Sequence, residues 1–156
     1  RRGPRARGLL NTSSTAGLLT FPGSSTYVAP KHALEALTEG LRVELAPLRI
    51  RVICIEPGPF RTDFAGRSIV IAKHQISDYD ETAGKRRTGI KEFDGTQAGD
   101  PVLGVRAMMR GVDEPKPPGR LALGGAAYEQ IRRQLDSMRA ELDQCEWLVE
   151  PTDYSP

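Results

Sequence analysis

The sequence predicts an α/β fold, a small sheet with helices packed on it, and three observations carry the prediction. Short apolar runs recur at 8–13 (GLLNTS), 50–56 (IRVICIE) and 120–123 (RLAL). Stretches with helical spacing of apolar residues lie between and after them. Pro57-Gly58-Pro59 stops the second run abruptly, as turns do at the carboxyl ends of strands, where open α/β sheets bind ligands.

Each element follows from its residues. The first run ends in small hydroxyl residues, and Gly17, Pro22 and Gly23 then break the chain over 15–25. Ser24, Ser25 and Thr26 are all suitable N-caps for the helix that follows. Leu34, Leu37, Leu41, Leu45 and Leu48 recur at helical spacing along it, with Glu35, Glu39 and Arg42 on the flank, and Pro47 closes it. Pro30 is out of place in a helix interior, so the helix is expected to begin no earlier than about Ser25 or to bend near Thr26. The second strand is β-branched and apolar. From Ala65 to Gly99 the chain is polar and glycine-punctuated, which reads as a long loop of the kind that forms lids. Asp100-Pro101 is an N-cap and first-turn pair opening a helix with Val102, Val105 and Met109 inward. A last helix is expected from Ala126 to Leu148, packing through Tyr128, Ile131, Leu135, Met138 and Leu142. PTDYSP (151–156) reads as a disordered tail after a single unit over 1–150.

Bulk properties exclude several functions. The 156 residues carry a formal net charge of +2 with both signs interspersed, so no basic field marks a nucleic-acid partner. Cys54 and Cys145 are far apart and read as reduced thiols, and with only His32 and His74 beside them no metal-ligand spacing exists. No apolar run reaches the roughly 18 residues of a membrane span. The basic start RRGPRAR lacks the apolar core of a signal peptide and reads as a solvated lead-in, leaving the cytoplasm as the expected location. Gly84 to Gly89 resembles a phosphate loop, but Ile90 stands where its lysine belongs.

The chemistry concentrates between Asn11 and Lys31, NTSSTAGLLTFPGSSTYVAPK. On a helix, Tyr27 and Lys31 at i,i+4 share one face. A cation beside a phenol favours the phenolate, which is how a tyrosine becomes a proton donor or acceptor usable near neutral pH. Ser14, arriving from the strand end, offers a hydroxyl to hold a substrate oxygen. Alone, a Tyr-x-x-x-Lys pair is as well explained by a solvated helix face.

In context, the stretch resembles the short-chain dehydrogenase/reductase family. NTSSTAG, the PG turn, Tyr27-x-x-x-Lys31, the helix HALEALTEGLRVEL and the strand-plus-turn IRVICIEPGPFRT follow the family's order from about Gly8 to Leu148. Only the family's C-terminal half is matched. The resemblance implies the C-terminal part of a Rossmann-like, doubly wound parallel sheet of about three strands with helices. It implies an oxidoreductase passing a hydride between NAD or NADP and a carbonyl or alcohol substrate. Ser14, Tyr27 and Lys31 would be catalytic, with Tyr27, Lys31, Pro57, Gly58 and Thr62 at the cofactor. Phe60, Phe64 and Tyr79 are candidates to line a substrate pocket, though core or surface packing explains them equally well. The helix over 26–46 contributes to a dimer interface in the family, implying a homo-oligomer; no nucleic-acid or membrane partner is expected. The family usually has a small residue where Pro30 stands.

The glycine-rich strand–turn–helix that cradles a dinucleotide is not found in these residues. The alternative is therefore a truncated, inactive fragment or an interaction module. A first strand without its usual neighbour exposes an edge and apolar surface, so the chain alone is expected to be marginally stable and to self-associate.

Overall fold

A computed structural model of the chain describes residues 7–149 and Tyr154. The expected tail at 151–156 lies, apart from Tyr154, outside the described residues, as does the arginine-rich start up to residue 6. Strands β1 (Arg7–Thr12), β2 (Ile50–Pro57) and β3 (Arg120–Leu123) alternate with helices α1 (Ser25–Leu45), α2 (Lys85–Phe93) and α3 (Pro101–Asp113), and α4 (Gly125–Gln144) follows β3. The sheet order is β1–β2–β3, with both pairs parallel. The register sets Thr12 beside Ile55 and Pro57 beside Leu123, so the strands end together at one edge. No described helix is long and apolar enough to cross a membrane.

Alternation along β2 sorts its side chains onto two faces. Ile53 and Ile55 join Leu123 in an apolar cluster against Phe60, Ala107, Met108 and Val112. Cys54 and Glu56 point the other way, toward α1, where a polar network replaces an apolar core. Asn11 Nδ2 donates to Thr38 Oγ1 at 2.9 Å on that same side.

The strands and main helices lie where the sequence put them, and four details differ. In α1 the buried positions are Val28, Glu35 and Thr38, whereas Leu37 is 58% exposed. Glu35 is thus an inward residue rather than a flank residue, and the reason is Arg120, whose guanidinium meets it from β3. In α3 the inward residues are Gly104, Ala107, Met108 and Val112, while Val102, Val105 and Met109 face outward. Close approach decides this: a Cβ on Gly104 would come within 2.7 Å of the Phe60 ring, so the face that carries Gly104 goes down.

The expected loop 65–99 contains an ordered stretch. A turn at Ser77–Tyr79, a π-turn at Asp80–Gly84 and α2 follow one another, with Glu81 and Lys85 paired at 2.5 Å. Finally, α4 ends at Gln144, with a 3-10 turn at Glu146–Leu148. Only Ala127 and Ile131 of α4 are buried; Tyr128, Leu135, Met138 and Leu142 are exposed, because the sheet beneath is too short to cover the stripe.

Pro30 sits six residues into α1, exposed, and the helix starts at Ser25 as expected. Ser24 occupies the N-cap position without a side-chain capping bond; its carbonyl accepts from the N–H groups of Tyr27 and Val28, each at 2.9 Å. Among the described residues β1 pairs on one side only, and Leu9 and Leu10 are 37% and 39% exposed.

Candidate active site

The carboxyl ends of β1 and β2 carry the candidate residues. Thr12 ends β1, and its carbonyl accepts from Lys31 Nζ at 3.0 Å. This bond ties the helical lysine to the strand end, two residues before Ser14. Lys31 Nζ lies 5.9 Å from the centroid of the Tyr27 ring, so the ammonium and phenol occupy one side of α1, as i,i+4 geometry requires. The Tyr27 ring packs on Phe64 with centroids 5.2 Å apart and planes tilted by 51°.

Ser14 caps the 3-10 turn Thr15–Gly17, its Oγ accepting from Ala16 N at 3.1 Å. That bond occupies only an acceptor position, which leaves the hydroxyl O–H able to donate. Ser14 is half-buried, while the turn residues Thr15, Ala16 and Gly17 are buried. Gly17 is needed there, because a side chain would meet Ser13 Oγ at 2.5 Å and Glu35 Oε1 at 2.7 Å.

The three aromatic candidates separate. Phe64 stacks on Tyr27, Phe60 packs in the core beneath Gly99 and Gly104, and Tyr79 is 58% exposed. Pro57 ends β2. Gly58 donates its N–H to Leu123 O at 3.0 Å, and its bare Cα faces Ala127, where an added Cβ would fall 2.9 Å from the Ala127 Cβ. Thr62 is exposed, its Oγ1 accepting from Phe64 N at 3.4 Å. Beyond Pro59 the chain pairs with the stretch before α3: Phe60 bridges to Gly99, and Arg61 Nη2 donates to Gln97 O at 3.1 Å. Gln97 is buried and its Oε1 has no hydrogen-bond partner.

The turn and helix within 65–99 rest on the turn between Ser14 and Tyr27. Gly23, at φ 67°, makes room for Ala83, and Arg86 lies 4.6 Å over the Phe21 ring. Under the site, buried Glu35, Cys54 and Glu56 form a group with half-buried Arg120 that sequence reasoning missed. Spacing gave one signal for it: Glu35 is the next residue in the series Tyr27, Lys31, on the same helical face. Burial, with both neighbouring glutamates adding to it, pushes the Cys54 thiol up to about 12.

Known proteins resemble this chain in sequence and fold. The short chain dehydrogenase family profile matches residues 5–69. An oxidoreductase of Botryotinia fuckeliana is 28% identical over 133 residues, covering 85% of this chain and 48% of that protein. The crystal structure of a short-chain dehydrogenase from Streptomyces avermitilis superposes with a TM-score of 0.84 at 40% identity, covering 94% of this chain and 53% of that one. A short chain dehydrogenase from Burkholderia cenocepacia, solved in complex with NADP, gives a TM-score of 0.53 at 26% identity over 86% of this chain and 46% of that one. The chain thus spans about half the length of these relatives. With its three parallel strands, its intervening helices and a matching order of elements, the chain belongs to the short-chain dehydrogenase/reductase family.

Proposed function

We propose that these residues are the acid/base part of an NAD- or NADP-dependent oxidoreductase acting on a carbonyl or alcohol. One observation carries the reading: Lys31 Nζ is anchored to the end of β1 and lies beside the Tyr27 ring, at the mouth of a parallel sheet. When bound, the nicotinamide cofactor supplies or accepts the hydride at the carbon. In reduction, the Tyr27 hydroxyl gives its proton to the substrate oxygen, and in oxidation it takes that proton back. Lys31 stabilises the phenolate left after proton transfer, and its tether to Thr12 fixes the charge in place. Ser14 donates a hydrogen bond from its hydroxyl to the same oxygen and keeps its proton. The Phe64 ring against Tyr27 limits water access to the phenol.

The residues present fit the nicotinamide end of the cofactor. Lys31 and Tyr27 offer donors to a ribose, and Pro57, Gly58 and Thr62 flank the same strand ends. The phosphates have no glycine-rich turn among these residues to receive them. The 156-residue chain by itself is therefore expected to bind the cofactor weakly and to turn over little or nothing. Titration of the chain with NADH or NADPH, followed by nucleotide fluorescence, should show no saturable binding at low micromolar concentration. Saturation in that range would overturn the statement that these residues hold no phosphate-binding part.

A second reading, an association module, is favoured by the one-sided pairing of β1 among the described residues and the exposed stripe on α4. It predicts that the chain alone elutes as oligomers in size-exclusion chromatography with light scattering. A monodisperse monomer with a sharp, reversible melt would count against it.

A further inference from the structure

The helix carrying Tyr27 and Lys31 is joined to the sheet by charge rather than by apolar contact alone. Glu35 and Glu56 are 5% and 2% exposed, and both reach the same Nη1 of Arg120. Glu56 Oε1 accepts from it at 3.0 Å, and Glu35 Oε2 is in closer contact. Arg120 Nη2 donates to Glu39 Oε2, also at 3.0 Å. One guanidinium thus serves three carboxylates, two of them buried. On the rim, Arg42 lies 3.7 Å from Glu39, and Cys54 completes the group from β2.

Like charges in such proximity cannot both persist out of water. Donor atoms of Glu35, Cys54 and Glu56 lie within 4.8 Å of one another, and Glu35 Oε1 is buried with no hydrogen-bond partner. Gly17 of the Ser14 turn lies over that oxygen, shutting out a solvent donor. The missing donor must come from inside the cluster, where the Cys54 thiol reaches Glu35 but is a weak donor and a carboxyl O–H is the stronger one.

We propose that Glu56 is protonated in the folded protein and gives its O–H to Glu35, so that Glu35, Glu56 and Arg120 form a charge-neutral clamp joining α1 to the end of β2 and the start of β3. Burial favours the neutral acid and raises Glu56 above the usual carboxylate range, against the opposing pull of Arg120. Glu56 directly precedes Pro57, and Glu35 is one helical turn beyond Lys31. The clamp therefore sets the helix that carries the proposed acid/base pair against the proposed cofactor turn. These are positioning residues, and their bearing on catalysis rests on the oxidoreductase reading; the proton itself does not.

The proton is held when folded and lost on unfolding at neutral pH. Stability from this group is then fully present below the ordinary carboxyl value of 4.5 and declines as pH rises toward the higher folded value. Infrared spectroscopy of the unmodified chain at pH 7 tests this without any variant. A protonated-carboxyl C=O band is expected, absent from Glu56→Gln; no such band, or one that survives in Glu56→Gln, overturns the proposal. Thermal melts add a second readout. Glu56→Gln keeps the shape and removes the charge, so its melting temperature should equal or exceed the parent's at pH 7, with a growing advantage at pH 9. A clear drop at pH 7 would mean that Glu56 is an ionised partner of Arg120, contrary to the proposal. Stoichiometric zinc uptake with loss of the band would replace the proton by a metal and also overturn it. Neither measurement involves cofactor or turnover, so failure here leaves the oxidoreductase reading standing, and the converse holds.

Discussion

Replacing Pro30 by alanine should stabilise the protein. Pro30 lies at the sixth position of α1, where an ordinary residue would donate its N–H to the carbonyl of Thr26. Proline in a helix interior is about 3 kcal/mol less favourable than alanine. Two effects reduce the gain. Alanine frees the unfolded chain, which costs roughly 0.4–1 kcal/mol. Thr26 and Pro30 are both exposed, so water already meets part of the carbonyl's need. The net stabilisation is then about 1–2 kcal/mol. At about 2–4 °C per kcal/mol for a chain of this size, the melting temperature should rise by roughly 2–8 °C. Circular dichroism melts of parent and variant at one protein concentration measure it. An unchanged or lower melting temperature would refute the reasoning, because it would mean that the proline ring makes a contact the helix needs.

Other outcomes follow from the same structure. Ile55 is fully buried between Ile53, Leu123 and the α3 face, so Ile55→Ala should cost about 2–5 kcal/mol in denaturant unfolding, enough to leave much of a marginal chain unfolded. A loss under about 1 kcal/mol would show that the apolar cluster does not hold the sheet. The two thiols should separate in a thiol-reactivity assay: exposed Cys145 reacts quickly at pH 8. Buried Cys54, raised to about 12, stays almost wholly protonated and reacts only on unfolding or in strong alkali. Equal rates in the folded chain would contradict its burial.

Much of the fold was legible because local signals and tertiary placement agree. The run at 50–56 is apolar where its strand is central and buried, and Asp100-Pro101 opens α3 by accepting from Val102 N at 2.7 Å. Tyr27 and Lys31 were legible as a pair because one helical turn joins them, and Lys31 was not legible as a ligand of Thr12 because 19 residues separate the two. The same limit hid Arg120 and Glu35, which are 85 residues apart. Periodicity also favours large apolar residues, so it chose Val102, Val105 and Met109 for the inner face of α3. Close packing on Phe60 instead required Gly104 at the contact, with Ala107, Met108 and Val112 on the same face. In 65–99, glycines and charges signalled a loop, yet the Glu81–Lys85 pair and the contacts of Ala83 and Arg86 with the Phe21–Gly23 turn accompany a short helix there.

Tyr27→Phe, introduced into a protein in which this chain is joined to a dinucleotide-binding half from a relative, tests the central claim most directly. Nicotinamide-dependent turnover across a panel of carbonyl and alcohol substrates should fall by about 10²–10⁴-fold, the contribution typical of a positioned proton donor, while the folded circular dichroism spectrum persists. Turnover that survives the loss of the phenolic hydroxyl would contradict it.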